Sequence, residues 1–254
     1  MYFLGNKKKC ANEINRVIDK YFLETSTYIE PFAGGLNIFS HLNKKFDKYY
    51  INDINADLYN LYLNIRDNGQ FDVRLLELKK LHNRENYYRF REQYNQTREP
   101  ALLFYLLHTC FRSFYRVGSK NNFNCPCWRN EFLWDCDELN SIRELLSLSQ
   151  ISNIDWKEFI DLSNNNSLFI MDPPYDGTLE YYGDSFGETK KLINFCSKNN
   201  SILFNFNSIL DKSDFDVSGF SSIVKINGKT KFGADKPEAS LKKDREIICV
   251  GEFK

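Results

Sequence analysis

Ser167-Leu168-Phe169-Ile170-Met171 is an apolar run of strand length that ends abruptly in Asp172-Pro173-Pro174-Tyr175. Proline has no N–H and a fixed φ, so two in succession stop a strand and hold the exiting chain in one rigid geometry. Each proline also restricts the residue before it, which sets the direction of the carbonyls around Pro173. Such an exit suits a site at the carboxyl edge of an α/β sheet. There Asp172 offers a carboxylate, Pro173 a carbonyl oxygen and Tyr175 a ring face. The three together suit a planar amine with two N–H donors and a face that stacks, of which adenine is one. Taken alone, the stretch has a plainer alternative, a strand end followed by a turn, so the rest of the chain has to decide.

The first third of the chain has the same logic. Ile14, Val17, Ile18, Tyr21 and Phe22 recur at the spacing of an amphipathic helix over residues 11–23. Before it, Phe3-Leu4-Gly5-Asn6-Lys7 reads as a short turn whose Lys7 could reach a carboxylate. Thr27-Tyr28-Ile29-Glu30-Pro31-Phe32-Ala33-Gly34-Gly35-Leu36-Asn37-Ile38-Phe39 reads as strand, glycine turn and helix. Two glycines let a backbone approach a ligand closely, and a helix start presents free N–H groups. The next strand, Lys48 to Asn52, ends at Asp53, about 20 residues past the glycines, where dinucleotide-type folds place the acid that binds ribose hydroxyls. Ile54 then lies ready to pack on a bound adenine, and a helix is predicted from Asn55 to Arg66. Beyond the insert described next, Ser149 to Ile154 resumes the sheet and leads to Asp155-Trp156, a pair suited to bind an adenine by hydrogen bond and stacking. Glu180-Tyr181-Tyr182-Gly183 reads as a loop over the target base, followed by a helix at 188–197 and strands at 202–206, 222–226 and 246–250.

Residues 67–148 interrupt the alternation of strand and helix, with helices predicted at Val73 to Leu81, Glu85 to Tyr94 and Pro100 to Phe111. The last is apolar on nearly every face and is expected to be buried. The loop after it mixes aromatics with basic residues: Phe111, Arg112, Phe114, Tyr115, Arg116, Lys120 and Arg129, with no acid from Phe111 to Asn130. Wedging between bases and hydrogen-bonding to a guanine edge call for that mixture. A second basic stretch runs from Lys225 to Arg245. These local excesses matter because 34 basic residues against 34 acidic ones give the chain no overall positive field. Cys110, Cys125, Cys127 and Cys136 share the insert, but Cys-x-Cys is not a typical zinc pair spacing, and no metal is expected.

With 42% hydrophobic and 16% aromatic residues, the 254-residue chain has the makings of one sizeable core. The longest apolar run, Ala101 to Leu107, is far too short to span a bilayer, and the N-terminal stretch lacks a signal-peptide core. A cytoplasmic protein with reduced thiols follows, or one in the host-cell compartment where a virus replicates; the Asn-, Lys- and Ile-rich composition fits an AT-rich phage, viral or bacterial genome.

Asp172-Pro173-Pro174-Tyr175 resembles the tetrapeptide of amino-group DNA methyltransferases, whose leading acid favours adenine. Phe32-Ala33-Gly34-Gly35 resembles the Phe-x-Gly-x-Gly loop of S-adenosylmethionine-dependent methyltransferases, with the glycines adjacent. Glu92-Gln93-Tyr94-Asn95, Arg98, Pro100, Arg116 and Asn122-Phe123-x-x-Pro126 are similar to the recognition domain of Dam-type adenine methyltransferases (D12 class, alpha group), those of phages above all. The resemblance implies a Rossmann-like α/β catalytic domain (1–66 and 149–254) with an inserted helical target-recognition domain (67–148). It implies S-adenosylmethionine as methyl donor, S-adenosylhomocysteine as product, and Asp172, Pro173, Pro174 and Tyr175 as the catalytic set. Phe3, Lys7, Glu30, Pro31, Phe32, Ala33, Gly34, Gly35, Asp53, Ile54, Asp155, Trp156 and Asp172 would contact the cofactor. Phe111, Arg112, Phe114, Arg116, Lys120, Asn122, Pro126 and Arg129 would contact double-stranded DNA: an aromatic entering the stack at Phe111, a guanine-reading arginine at Arg116 and a thymine-methyl contact at Pro126. A monomer or weak dimer, with a cognate restriction endonuclease as a further partner, fits the same picture. The sequence departs from the family at Arg112, Phe114 and Tyr115, which are bulkier, at Cys127-Trp128, which replaces Phe-Gly, and at Tyr2, where a base-contacting lysine stands. GATC is thus the family's site, and this chain could read a different one.

Overall fold

The structure is a computed structural model that describes Lys7 and residues 10–173, 186–206, 218–225 and 246–252. Seven strands make one mixed sheet: β1 (Thr27–Glu30), β2 (Lys48–Asn52), β3 (Ser149–Ser152), β4 (Ser167–Met171), β5 (Ser201–Phe206), β6 (Ser222–Lys225) and β7 (Glu246–Gly251), in the order β3-β2-β1-β4-β5-β7-β6. β4 is parallel to β1 and β5, with Ile29 opposite Phe169 and Phe169 opposite Ser201, while β7 runs antiparallel to β5 and β6. All five residues of β4 are buried. A parallel strand covered on both faces has no polar side to show, which is why Ser167–Met171 reads as a continuous apolar run rather than an alternation.

The chain divides into two compact units, described separately. One contains Cys10–Phe32, Asn43–Tyr49 and the described residues from Trp156 onward. In it, α1 (Ala11–Tyr21) buries Ile14, Val17 and Ile18, the apolar stripe expected from their spacing. Tyr28, Phe46 and Tyr49 pack ring to ring at 5.4–6.0 Å, and α7 (Phe186–Cys196) sets Phe195 edge-on to Phe169 at 4.9 Å.

The other unit contains Ala33–Leu42 and Tyr50–Asp155. Its helices are α2 (Ala56–Asp67), α3 (Phe71–Lys80), α4 (Arg84–Thr97), α5 (Pro100–Thr109) and α6 (Cys136–Ser147). The starts of three of them are set by side chains. Asn55 caps α2 through the Asp57 N–H (2.9 Å), Asn83 caps α4 through the Asn86 N–H (2.8 Å), and Asp135 caps α6 through the N–H groups of Asp137 and Glu138 (3.0 Å each). α5 starts on Pro100, whose missing N–H costs nothing in a first turn. Every residue from Ala101 to Thr109 is buried, so this helix is the core of its unit, as its all-round apolarity predicted. His108 belongs to that core: it stacks on Phe104 at 4.0 Å, and burial holds its pKa down at about 3.

Two expectations change. The helix predicted after Gly34-Gly35 is a turn followed by three residues of 3-10 helix, Phe39–His41. Gly34 (φ 49°) and Leu36 (φ 57°) both sit in the left-handed region, which a right-handed helix cannot pass through. The stretch after α5, read as a loop, forms a narrow antiparallel ribbon. The main chains of Cys110 and Cys127, both free thiols, pair antiparallel, as do those of Val117 and Phe123, and the Gly118 N–H bonds to the Asn122 carbonyl at 2.9 Å around a turn closed by Asn121 (φ 56°). No helix of the described residues is long and apolar enough to cross a membrane.

If α5 is the core of its unit, Phe104→Ala should cost about 3–5 kcal/mol, the range for an aromatic removed from a packed interior. A loss of unfolding free energy, measured by urea titration, of less than a quarter of that would show α5 to be peripheral.

Candidate functional site

The end of β2 is built from side-chain hydrogen bonds that recruit main chain. Asn52 is buried, and its amide donates to the Ile154 carbonyl (3.0 Å) while its oxygen accepts from the Ile154 N–H and the Ser152 hydroxyl (2.9 Å each). Asn153 donates to the Asp53 carbonyl at 2.7 Å. β2 and the segment after β3 are therefore locked where the expected ribose-binding acid begins.

Asp53 itself is half-buried. One carboxylate oxygen accepts the Gly34 N–H and the other the Asn55 N–H, each at 2.9 Å. Tyr62, from α2, donates to the Gly34 carbonyl at 2.6 Å, so the glycine is gripped on both sides. Gly34 must be glycine-like in conformation, since its φ of 49° is left-handed. Burial pushes the Asp53 carboxyl up to about 6, against the opposing pull of the two N–H groups. The two donors hold the carboxylate in place without using up its roughly four acceptor positions. Beside it Ile54 is 61% exposed, an open apolar face on a residue type usually buried. Just past the turn, Asn37 is buried with its side-chain oxygen unpartnered. Ala33 and Gly35 are buried, and Asp155 is exposed.

In the other unit, Glu30 is buried at the end of β1 and accepts a hydrogen bond from Tyr28 at 2.8 Å. Pro31 is buried and Phe32 half-buried. Asp172, half-buried, and Pro173, buried, leave the end of β4. Trp156 is 8% exposed and packs edge-on to Phe195 at 5.9 Å, so most of its indole lies in the core. Lys7 is buried. Phe3, Pro174 and Tyr175, the Glu180 to Gly183 loop, Tyr2 and most of the basic stretch Lys225 to Arg245 lie outside the described residues.

The expected nucleic-acid contacts cluster on the ribbon after α5. Phe111 donates its N–H to Pro126 (2.9 Å), and the N–H groups of Trp128 and Arg129 both reach the Thr109 carbonyl (3.0 Å), which fixes these residues to the end of the buried helix. Arg112 (φ 53°) and Ser113 (φ 57°) are successive left-handed residues, a strained corner that sets the Arg112 guanidinium over the Phe111 ring at 5.1 Å. On the same ring Trp128 packs edge-on at 4.9 Å and is 64% exposed, an aromatic surface residue beside the expected DNA contacts. Arg112, Lys120, Asn122 and Pro126 are exposed, while Phe111, Phe114, Arg116 and Arg129 are half-buried. The Arg116 guanidinium is steadied by Asn124, at 2.6 Å to its side-chain oxygen and 3.1 Å to its carbonyl. Among the described residues, no group of three or more His, Cys, Asp or Glu side chains could hold a metal ion.

The sequence model of the D12 class N6 adenine-specific DNA methyltransferases matches residues 3–222. The chain is 30% identical over 199 residues to the type II methyltransferase M.CviBI of Paramecium bursaria Chlorella virus NC1A, covering 73% of this chain and 74% of that one. It is 31% identical over 187 residues to the type II methyltransferase M1.LlaDCHI of Lactococcus lactis subsp. cremoris, covering 67% of this chain and 63% of the relative. With the DNA adenine methylase of Haemophilus influenzae it shares 27% identity over 201 residues, 72% and 68% of the two chains.

The Asp53 environment predicts a pH dependence of stability. Its folded pKa, about 6, lies above the ordinary 3.8, so between those values the folded chain binds more protons than the unfolded one. Asp53 therefore takes stability away as pH rises from about 4 to about 6. Relative to Asp53→Asn, the wild type should lose ground over that window and hold a constant difference above about pH 7. Urea unfolding of both proteins at several pH values measures this, and a pH-independent difference would rule it out.

Proposed function

Because the chain belongs to the D12 class of N6 adenine-specific DNA methyltransferases, we propose that it moves the methyl group of S-adenosylmethionine to the exocyclic amino group of adenine within a short duplex sequence, GATC or a relative of it. The observation that carries this reading is the pairing of a strand buried at every position with an acid and a proline at its end, Asp172 and Pro173. A carboxylate and a carbonyl held by so rigid a support are suited to accept the two amino hydrogens of a flipped-out adenine.

The residues present fit S-adenosylmethionine. Asp53 keeps acceptor capacity for ribose hydroxyls after taking two backbone N–H groups, Ile54 presents the open apolar face for the adenine, and the unpartnered Asn37 oxygen offers a further acceptor beside the turn. By resemblance, Glu30, Pro31, Phe32, Ala33, Gly34 and Gly35 would meet the cofactor, as would Phe3, Lys7, Asp155 and Trp156. When bound, the cofactor supplies an electrophilic methyl group on a sulfonium centre.

The chain's own residues do the rest by positioning and electrostatics. In a duplex the adenine is paired and stacked, and extruding it costs a few kcal/mol. Phe111, braced by Arg112 and Trp128, is placed to wedge the gap. Arg116, Pro126 and Asn122 read neighbouring bases, and Lys120 and Arg129 meet phosphates. Asp172 and the Pro173 carbonyl draw the amino hydrogens toward themselves, which pulls the nitrogen out of conjugation with the ring and frees its lone pair. Tyr175 stacks on the base. Residues 67–148 serve as the target-recognition domain, with 1–66 and 149–254 as the catalytic one. The protein works inside the cell as a monomer or weak dimer, with or without a cognate restriction endonuclease.

Incubating purified protein and S-adenosylmethionine with a random-sequence duplex library, followed by single-molecule sequencing, tests the reading. N6-methyladenine in one short motif is expected, reduced about 100- to 1,000-fold in Asp172→Ala, the usual loss for one aligned hydrogen-bonding group. Methylcytosine as the only product, or methylation of RNA alone, would end the adenine-in-DNA assignment.

A further inference from the structure

Asp57 lies one turn beyond the Asp53 corner and is used by neither the cofactor turn nor the recognition ribbon as described so far. Its side chain is only 16% exposed. One oxygen accepts hydrogen bonds from the hydroxyls of Tyr94 (2.7 Å) and Tyr115 (2.6 Å) and meets the Arg98 guanidinium at 3.4 Å. The three donors come from different places. Tyr94 is on α4, Tyr115 is in the recognition ribbon, and Arg98 caps α4 in a left-handed conformation (φ 54°) while its other nitrogen bonds the Asn121 carbonyl at the ribbon turn. Tyr94 and Tyr115 also flank the buried Phe123 ring at 6.0 and 6.1 Å.

In the opposite direction the same residue leads to the cofactor turn. The Asp57 N–H bonds the Asn55 side chain, the Asn55 N–H bonds one Asp53 oxygen, and the Gly34 N–H bonds the other, each at 2.9 Å. A helix already capped by Asn55 does not need a second acid for its stability. A carboxylate withdrawn from water does need its donors, and moving it disturbs all of them together. Tyr115, bulkier than the family pattern leads one to expect, thus has a specific partner.

We propose that Asp57 is a positioning residue that couples occupancy of the Gly34–Asp53 turn to the pose of the recognition ribbon, through Tyr115. The proposal rests on the reading above, in which the turn holds S-adenosylmethionine and the ribbon holds DNA. A ligand that takes up the free acceptor positions of Asp53 shifts Asn55 and the first turn of α2, and Asp57 carries that shift to Tyr115. Binding in either place then strengthens binding in the other by the same factor.

The test is the ratio of DNA affinities with and without S-adenosylhomocysteine, which supports no turnover. The probe is a duplex carrying the motif methylated in the library, followed by fluorescence anisotropy. Wild type should bind about fivefold or more tighter with the nucleoside present, the lower end of typical coupling. Tyr115→Phe and Asp57→Asn should bring the ratio to within about twofold of one. Tyr94→Phe removes a donor from the same carboxylate but not the link to the ribbon, and should keep the wild-type ratio. A purely structural role would weaken binding equally with and without the nucleoside. An unchanged ratio in Tyr115→Phe, equal losses in Tyr94→Phe and Tyr115→Phe, or a wild-type ratio near one would overturn the proposal. Failure of wild type to bind either ligand would instead overturn the underlying functional reading, so the two failures are distinct.

Discussion

A carboxylate taken out of water has to be met by donors, and around Asp53 that requirement organises the surrounding main chain. Its two oxygens hold the N–H groups of Gly34 and Asn55, Asn153 holds its carbonyl, and Tyr62 holds Gly34 from the other side. The left-handed Gly34 and Leu36 would otherwise be costly, and they are held by this mesh. The raised Asp53 pKa has the same origin: burial opposes the charge, and the two N–H groups only partly offset it.

The second constraint is the buried helix α5. Since Ala101 to Thr109 have no exposed side, the residues that follow leave the core from a fixed point, and the Thr109 carbonyl takes two N–H groups from the far strand of the ribbon. Phe111, Arg112 and Trp128 are thereby presented as one rigid cluster rather than as loop side chains. For the proposed DNA contact, such a cluster forfeits less conformational entropy than ordering a free loop would.

Much of the architecture was legible. The apolar run ending in two prolines identified β4, the 3.6-residue period identified α1 and α2, and the all-apolar run identified α5 as core. The position of Asp53, at the end of β2 and bonded to Gly34, was legible from its distance to the glycines. The 3-10 turn after Gly35 was not, because nothing in local propensity announces a left-handed leucine, which tertiary packing imposes. The ribbon was hard to see because its pairing depends on contacts between residues such as Asn95 and Phe123, distant in sequence, with Asn95 bonding both the N–H (2.8 Å) and the carbonyl (3.1 Å) of Phe123. Trp128 was noticed only as a departure from a pattern, since exposure is not written in a residue's identity.

The sequence alone determined the class of fold, since strand periodicity, proline punctuation and the spacing of acid from glycine are local properties of a chain, and the resemblance of its motifs pointed to the family. Tertiary structure decided which of those groups act together. Asp57, Tyr94, Arg98 and Tyr115 lie up to 58 residues apart and look unremarkable in order along the chain. They meet because a buried carboxylate accepts whichever donors the packing of α2, α4 and the ribbon brings within hydrogen-bonding distance, and that selection is made by three-dimensional packing rather than by any pattern in the sequence.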